Sequence, residues 1–301
     1  MYVSYNYLNY CNIKATEGVG SQYQKIIELY AVIKKFNLKY IHIPLQIGHN
    51  YNNDKDWNDK WDNFFNFKKL SSNDEIDIEK LEKYFITEPI TEETIFRNRN
   101  PDILYLYFHT FNIFYKNPEY YFKDIQKDLI NAYDEANNHR KLIYNKTKTN
   151  IAIHIRVYNN YDNKADSEYY ERYSKENTTD ELRCYFTEDM YENLINELKN
   201  KYTNTEIHIF SQEEYFDIKF KKLRQIKDIK LHFDDMDVFD TFHHLCKADI
   251  LVMGLSSFSI LAAYYNKNTI IYLQYYFPPV LKSWLVYNKE KKIKNCLLSY
   301  I

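Results

Sequence analysis

Glycine is scarce in this chain, with 4 residues among 301, whereas average usage near 7% would give about 21. Glycine weakens helices and strands, so a chain this poor in it should keep it mainly where the backbone geometry demands it. Gly18 and Gly20 share one short segment, and Gly254 follows an apolar run. These positions are therefore the first candidates for a functional site.

The chain also lacks long apolar runs, a strong charge of one sign and clustered cysteines. No run approaches the ~20 apolar residues that span a bilayer, and the N-terminus has no signal-peptide pattern. The formal net charge of −2 gives no general attraction to nucleic acid or to an anionic membrane surface. The 4 cysteines are scattered without metal-site spacing, which favours free thiols in a reducing compartment. We therefore expect a cytoplasmic protein with no membrane span, no nucleic-acid partner and no bound metal.

The second half of the chain alternates strands with helices. Strands are predicted at 151–157, 206–210, 229–233, 249–253 and 269–273, and helices at 185–202, 238–247 and 260–266. In the first half, strands are predicted at 1–10, 39–44 and 103–108, and helices at 22–36, 57–67 and 118–138. This alternation indicates a parallel α/β sheet. The polar segment 145–150 marks a junction, so we expect two domains, 1–148 and 149–301.

The segment IAIHIRV (151–157) would place His154 and Arg156 on the same face of a strand. Burying an unpaired charge there costs several kcal/mol or more, so these side chains need a partner. Ligands of doubly wound sheets sit beyond the carboxyl ends of the strands. There an arginine can bind a phosphate bidentately and a histidine can donate to an oxyanion. An arginine paired with a local carboxylate beside a structural histidine is the alternative interpretation.

A second candidate site is Gly254-Leu-Ser-Ser-Phe-Ser259, between a predicted strand and a predicted helix. Backbone N–H groups and serine hydroxyls at a helix N-terminus form an anion pocket, and a glycine permits close approach. Ordinary helix capping also explains the serines. The two segments together favour an anion site, because both fall at strand ends of one predicted sheet.

Two further strand ends carry carboxylates. Glu17-Gly-Val-Gly-Ser-Gln22 matches neither the dinucleotide fingerprint nor the P-loop, and we expect a glycine loop over 17–22 that exposes Glu17. A plain tight turn is the alternative. In Ser211-Gln-Glu-Glu214 an acid could accept from a base or a ribose hydroxyl, although surface charge is the simpler explanation.

Taken in order, these segments resemble the GDP-fucose-using glycosyltransferase superfamily, which includes fucosyltransferases and protein O-fucosyltransferases. The N-terminal glycine loop and helix of that family are similar to EGVGSQYQKIIELYAVIKK (17–35), and its HxR motif is similar to His154-Ile-Arg156. Its C-terminal block is similar to DVFDTFHHLCKADILVMGLSSFSILAAYYN (237–266). The resemblance spans about residues 15–275. It implies a GT-B architecture of two Rossmann-like domains facing each other across a cleft, the N-terminal one on the acceptor side.

The resemblance also implies a role for each matching position. Arg156 would neutralise the donor diphosphate, and His154 would hold the geometry of the donor or the cleft. The donor site would be formed by Gly18, Gly20, Arg156, Ser211, Glu213, Ser256, Ser257, Phe258 and Ser259. Glu17 would be the base of an inverting, metal-independent transfer of fucose from GDP-fucose to a hydroxyl of a glycan or glycoprotein, with no cofactor.

The chain departs from the family pattern after the HxR motif. Val157 and Asn159 stand where many members have a second arginine and an aspartate. Asparagine cannot act as a base, which directs attention to Glu17 or Asp162. Without the second arginine, the donor sugar is less well specified than the fold.

Three other functions stay open at this point. A transferase could use a different nucleotide sugar, and an inactive protein of the same fold could bind glycans. The variant Glu17→Gln would abolish activity in a transferase and leave binding intact in a glycan-binding protein. The 32 tyrosines could also stack on single-stranded nucleic acid, but the dispersed lysines argue against it.

Overall fold

The structure is a computed structural model. It describes residues 1–5, 18–45, 54–72, 77, 80–86, 88, 91–97, 100, 102–107, 117–156, 187–212, 220–233, 235–254, 256–273, 281–287 and 292–295. The contacts of the chain divide it into two compact units, Met1–Arg140 and Lys141–Leu298.

Unit 1 (Met1–Arg140) contains, among the described residues, a parallel sheet with the strand order β2-β1-β4-β3. Its strands are β1 (Tyr2–Tyr5), β2 (Lys39–Tyr40), β3 (Glu82–Ile86) and β4 (Ile103–Tyr107). Its helices are α1 (Val19–Lys35), α2 (Trp57–Phe65), α3 (Glu92–Arg97), α4 (Pro118–Phe122) and α5 (Gln126–Asn137), with a 3₁₀ turn at Phe67–Leu70.

Helix α1 is buried over most of its length, including Gln22 and Glu28, and follows β1 in the chain. It begins at Val19, three residues before the start at Gln22 that apolar spacing predicts, so Gly20 lies in its first turn rather than in a loop. It ends because Asn37 adopts a left-handed conformation with φ of 52°, which asparagine tolerates. The expected glycine loop over 17–22 is therefore wrong for 19–22.

Unit 2 (Lys141–Leu298) contains, in its described part, a sheet with the order β11-β10-β9-β8-β5-β6-β7. Its strands are β5 (Thr149–His154), β6 (Thr205–Ser211), β7 (Ile229–Phe233), β8 (Ile250–Val252), β9 (Thr269–Leu273), β10 (Leu285–Tyr287) and β11 (Ile293–Asn295). Its helices are α6 (Glu188–Lys201), α7 (Val238–Lys247) and α8 (Ser257–Tyr265), with a 3₁₀ turn at Leu223–Gln225.

The sheet of unit 2 is parallel from β7 to β10, and β11 pairs antiparallel with β10. Its order from β7 to β10 is that of the Rossmann fold. A parallel sheet covered by helices on both faces requires near-continuous apolar strands, and Ile151, Ile153, Ile207, Ile209 and Val252 belong to one buried cluster. The α/β class that the sequence predicts is confirmed.

The segment before β5 belongs to unit 2, although the predicted junction lies at 148/149. The hydroxyl of Tyr144 donates to the carbonyl of His244 at 2.8 Å, and the N–H of Ile143 donates to His244 Nε2 at 3.0 Å. The N–H of Asn145 donates to Asn150 Oδ1 at 3.0 Å. These bonds attach the segment to α7 and β5, so the unit begins upstream of its first strand.

Some elements differ from the sequence prediction. The single helix expected at 118–138 is two helices, α4 and α5, separated by a turn at 123–125. Strand β5 stops at His154, so Arg156 lies beyond the strand instead of on its face. Within the described residues, no helix is both long enough and apolar enough to cross a membrane.

Candidate functional site

The carboxyl ends of β5 and β8 lie side by side in unit 2. Strand β5 pairs in parallel with β6 on one side and with β8 on the other. The chain proceeds from β5 to β6 and β7 and then crosses to β8, so the strand order reverses between β5 and β8. Ligands of open α/β sheets bind at this switch point. His154 is the last residue of β5 and Arg156 follows it, whereas Gly254 follows β8.

A buried serine connects the two strand ends. Ser259 Oγ is hydrogen-bonded to His154 Nδ1 and accepts the N–H of Gly254 at 3.1 Å. Ser259 is fully buried. A Cβ on Gly254 would lie 2.4 Å from the carbonyl oxygen of His154 and 3.0 Å from His154 Nδ1. Glycine is required at position 254 because the two backbones are in contact there.

The serines of the turn open helix α8. Ser256 is the N-cap, and its Oγ accepts the N–H of Phe258 at 3.2 Å. The helix therefore begins at Ser257, three residues before the start predicted at Ile260. Ser256, Ser257 and Phe258 are partly exposed. This first turn has no acidic residue, so its N–H groups and the helix dipole favour an anion.

The end of the neighbouring strand β6 orients the side chain of Arg156. Its Nη1 donates to Gln212 Oε1 at 3.0 Å, and Gln212 directly follows β6. The hydroxyl of Ser211 donates to the carbonyl of Ile155 at 2.8 Å, which attaches the end of β6 to the segment between His154 and Arg156. The guanidinium is partly exposed, so it is both oriented by the protein and accessible to solvent.

His154 is neutral at physiological pH. Burial, with a smaller contribution from the charge of Arg156, lowers the pKa of His154 from 6.5 to about 3. Its ring lies 5.7 Å from the ring of Phe258, which makes an edge contact with Phe242 at 5.1 Å. The imidazole can thus offer one N–H donor without carrying a charge.

The structure brings together most of the predicted site residues of unit 2. His154, Arg156, Ser211, Ser256, Ser257, Phe258 and Ser259 lie around the carboxyl ends of β5, β6 and β8. Ser259 differs from the expectation, because its hydroxyl faces His154 inside the protein instead of a pocket. Gly18, the N-cap of α1, and Gly20 belong to unit 1. Glu17, Glu213 and Asp162 lie outside the described residues.

Sequence reasoning missed Gln212 and the contact between His154 and Ser259. Gln212 lies between Ser211 and the two glutamates 213 and 214, and its position at the end of β6 is the signal that could identify it. Nothing in the sequence indicates which serine of the turn points inward. Within the described ranges, no group of three or more His, Cys, Asp or Glu could hold a metal ion, and metal independence stays a prediction.

Further histidines are buried beside this site. His208 Nε2 lies 3.1 Å from Glu206 Oε1, and His208 Nδ1 lies 3.0 Å from His232 Nε2. Burial, followed by the charge of His232, lowers the pKa of His208 from 6.5 to about 4. His244 accepts the N–H of Ile143 at Nε2 and contacts the carbonyl of Asp240 through Nδ1. Burial also lowers the pKa of His244.

We expect the protein to lose stability as the pH falls below 6.5. In the unfolded chain the pKa of each of His154, His208 and His244 is near 6.5. In the folded protein the pKa of His208 is about 4, that of His154 is about 3, and that of His244 is lowered. The contribution of these neutral histidines to the free energy of unfolding is complete above pH 6.5. It is lost as the pH falls toward and through their pKa values in the folded protein, by up to about 1.4 kcal/mol per pH unit for each histidine. Urea unfolding from about pH 7.5 to about pH 4.5, above most carboxylate titration, measures the slope.

The variant His208→Gln tests the assignment of this slope. It removes one titrating group of lowered pKa, so its free energy of unfolding should depend less steeply on pH than that of the wild type. A wild-type stability that is constant over the same range would contradict the expectation.

No protein-family model matches this chain, and no curated protein matches it in sequence. The structure is similar to POFUT1 in complex with GDP, with a TM-score of 0.45 and 12% identity over 89% of this chain and 94% of that one. It is also similar to POFUT1 in complex with GDP-fucose, with a TM-score of 0.45 and 11% identity over 89% of this chain and 95% of that one.

A weaker likeness is to WaaG, a glycosyltransferase involved in lipopolysaccharide biosynthesis. Its TM-score is 0.24, with 10% identity over 91% of this chain and 81% of that one.

Proposed function

We propose that the protein is a glycosyltransferase that binds a nucleoside diphosphate sugar at the carboxyl ends of β5 and β8. One observation carries the proposal: a partly exposed arginine and the capped N-terminus of α8 flank the point where the strand order reverses. Both groups favour an anion, and a diphosphate can contact a guanidinium and a helix terminus at once.

The finer proposal is an inverting fucosyltransferase that uses GDP-fucose. It is supported by the resemblance of 17–35, of His154-Ile-Arg156 and of 237–266 to the GDP-fucose-using superfamily. An acceptor hydroxyl on a glycan or protein attacks the anomeric carbon of the sugar and loses its proton to a carboxylate, for which Glu17 is the candidate. The bond from that carbon to the diphosphate breaks, and GDP departs with the bonding electrons.

The residues of the site have distinct parts in this reaction. Arg156, oriented by Gln212, balances the charge that develops on the departing diphosphate. The N–H groups at the start of α8 donate to the same oxygens, and Ser256 keeps that turn in place. Ser211 fixes the segment between His154 and Arg156 from β6. Stabilising a developing negative charge in this way lowers the barrier to departure.

The first experiment measures the binding of GDP, UDP, GDP-fucose, GDP-mannose and UDP-glucose by calorimetry and thermal shift. We expect the guanine nucleotides alone to bind, with Kd below about 1 mM, and GDP-fucose to bind more tightly than GDP-mannose. Binding of only the uracil nucleotides would replace the fucosyltransferase with a transferase of another donor. Absence of nucleotide binding would contradict the proposal and favour a glycan-binding protein.

The variant Glu17→Gln separates binding from transfer. It should bind GDP like the wild type and release no GDP from GDP-fucose, because only the base has been removed. Unchanged release of GDP would exclude Glu17 as the base and leave Asp162 as the next candidate.

A further inference from the structure

We propose that Ser259 is a positioning residue, whose hydroxyl keeps His154 in the tautomer with its proton on Nε2 and so makes the ring a neutral hydrogen-bond donor to the bound diphosphate. The statement about the tautomer concerns the protein alone. The statement about the diphosphate rests on the proposed function.

The direction of the two hydrogen bonds fixes the tautomer. Among the described residues, the partners of Ser259 Oγ are the N–H of Gly254, at 3.1 Å, and His154 Nδ1. A backbone N–H can only donate, so it occupies an acceptor position of the hydroxyl. A second lone pair could still accept from Nδ1, but the proton of this fully buried hydroxyl would then have no acceptor among the described residues. The hydroxyl therefore donates to His154 Nδ1. A neutral imidazole that accepts at Nδ1 carries its proton on Nε2.

The surroundings prevent the ring and the hydroxyl from finding other arrangements. Ser259 is fully buried and His154 is 8% exposed, so water does not readily replace either partner. The backbones at Gly254 and His154 touch, and Phe258 covers the ring from the same turn of α8. Side chains in interiors packed in this way sit in rotamer minima with few voids around them, which favours one arrangement of the ring and the hydroxyl.

Within the described residues, Nδ1 of His154 has a protein partner and Nε2 has none. Nε2 is therefore the ring nitrogen left for a ligand. With a proton on Nε2 the ring donates to an anionic oxygen, whereas the other tautomer would present a lone pair that repels it. Because burial keeps the imidazole uncharged, the choice of tautomer decides whether His154 attracts or repels a diphosphate.

The test is a measurement of the ring nitrogens of His154 by ¹⁵N NMR at neutral pH, without nucleotide. The variant His154→Gln identifies the resonances by their loss. We expect a pyridine-type Nδ1 and a pyrrole-type Nε2 in the wild type, and a mixture of tautomers in Ser259→Ala. A pyrrole-type Nδ1 in the wild type overturns the proposal, and so does an unchanged spectrum in the variant. The wild-type result stands even if Ser259→Ala fails to fold.

The second readout is GDP affinity. Loss of an oriented donor should raise the Kd for GDP roughly 10-fold in Ser259→Ala, as expected for a hydrogen bond to a charged group. The matched control is Ser4→Ala, which removes a fully buried serine hydroxyl from β1 in unit 1 and should change neither readout.

The tautomer of His154 and the affinity for GDP test different parts of the inference, and each can fail without the other. If the tautomer shifts in Ser259→Ala while GDP binds as tightly as to the wild type, the positioning role is refuted and the proposed function stands. If the wild type binds no nucleotide, the proposed function fails, and the diphosphate part of the inference fails with it. The tautomer is still decided by the spectrum.

Discussion

Replacing Arg156 by alanine is expected to raise the Kd for GDP about 100-fold, a loss of roughly 3 kcal/mol of binding free energy. The guanidinium is partly exposed, is oriented by Gln212 at 3.0 Å and lies at the end of β5 where the strand order reverses. An arginine in that position can form two parallel hydrogen bonds to a phosphate, which alanine cannot replace. Calorimetric titration with GDP measures the loss.

Two further variants make this result specific. Arg156→Lys keeps the positive charge but lacks the planar guanidinium that forms two parallel hydrogen bonds. Its Kd for GDP should therefore lie between those of the wild type and the alanine variant. Arg224→Ala removes an exposed arginine elsewhere in unit 2, where the guanidinium lies over Phe233, and should leave GDP affinity unchanged. If Arg156→Ala binds GDP within about twofold of the wild type, Arg156 is not the diphosphate ligand.

Gly254→Ala is expected to destabilise the protein by about 3 kcal/mol. The added Cβ would stand 2.4 Å from the carbonyl oxygen of His154, which is the last residue of β5, and Gly254 lies two residues after the end of β8. The turn must move away from β5, which disturbs the N–H of Gly254 and its bond to Ser259. The free energy of unfolding in urea measures this loss.

The matched control is Ser257→Ala, which alters a partly exposed side chain in the same turn. Its free energy of unfolding should stay within about 0.5 kcal/mol of the wild type, as for most surface substitutions. A Gly254→Ala protein as stable as this control would show that the two backbones can separate without cost. The requirement for glycine at 254 would then be wrong.

Local patterns were sufficient for the elements of unit 2 that surround the site. Apolar runs bounded by polar residues predicted the strands near β5 to β9, and helical spacing predicted α6 and α7 within a few residues. The helical spacing predicts the start of α8 three residues too late, because Ser256 caps the helix with its own hydroxyl. Capping depends on a single side chain, and periodicity does not detect it.

Elements without a local apolar pattern were not predicted. Strand β3 is exposed at Glu82, Lys83, Tyr84 and Phe85 and is an edge strand of its sheet. The short strands β10 and β11 are not predicted either, although β10 is the apolar Leu-Val-Tyr, because three residues are too few to show a period. Such strands are specified by backbone pairing with a neighbour and not by the alternation of their own side chains.

The sequence by itself determined the α/β class and the residue types at the strand ends, because both depend on neighbours along the chain. Tertiary structure alone decided that β5 and β8 are adjacent, since nothing local specifies strand order. That adjacency places His154 against Ser259, 105 residues away. It also requires glycine at 254 and turns one serine of the GLSSFS segment inward. The physical reason is that hydrogen bonds and steric contacts between distant segments exist only once the sheet has formed.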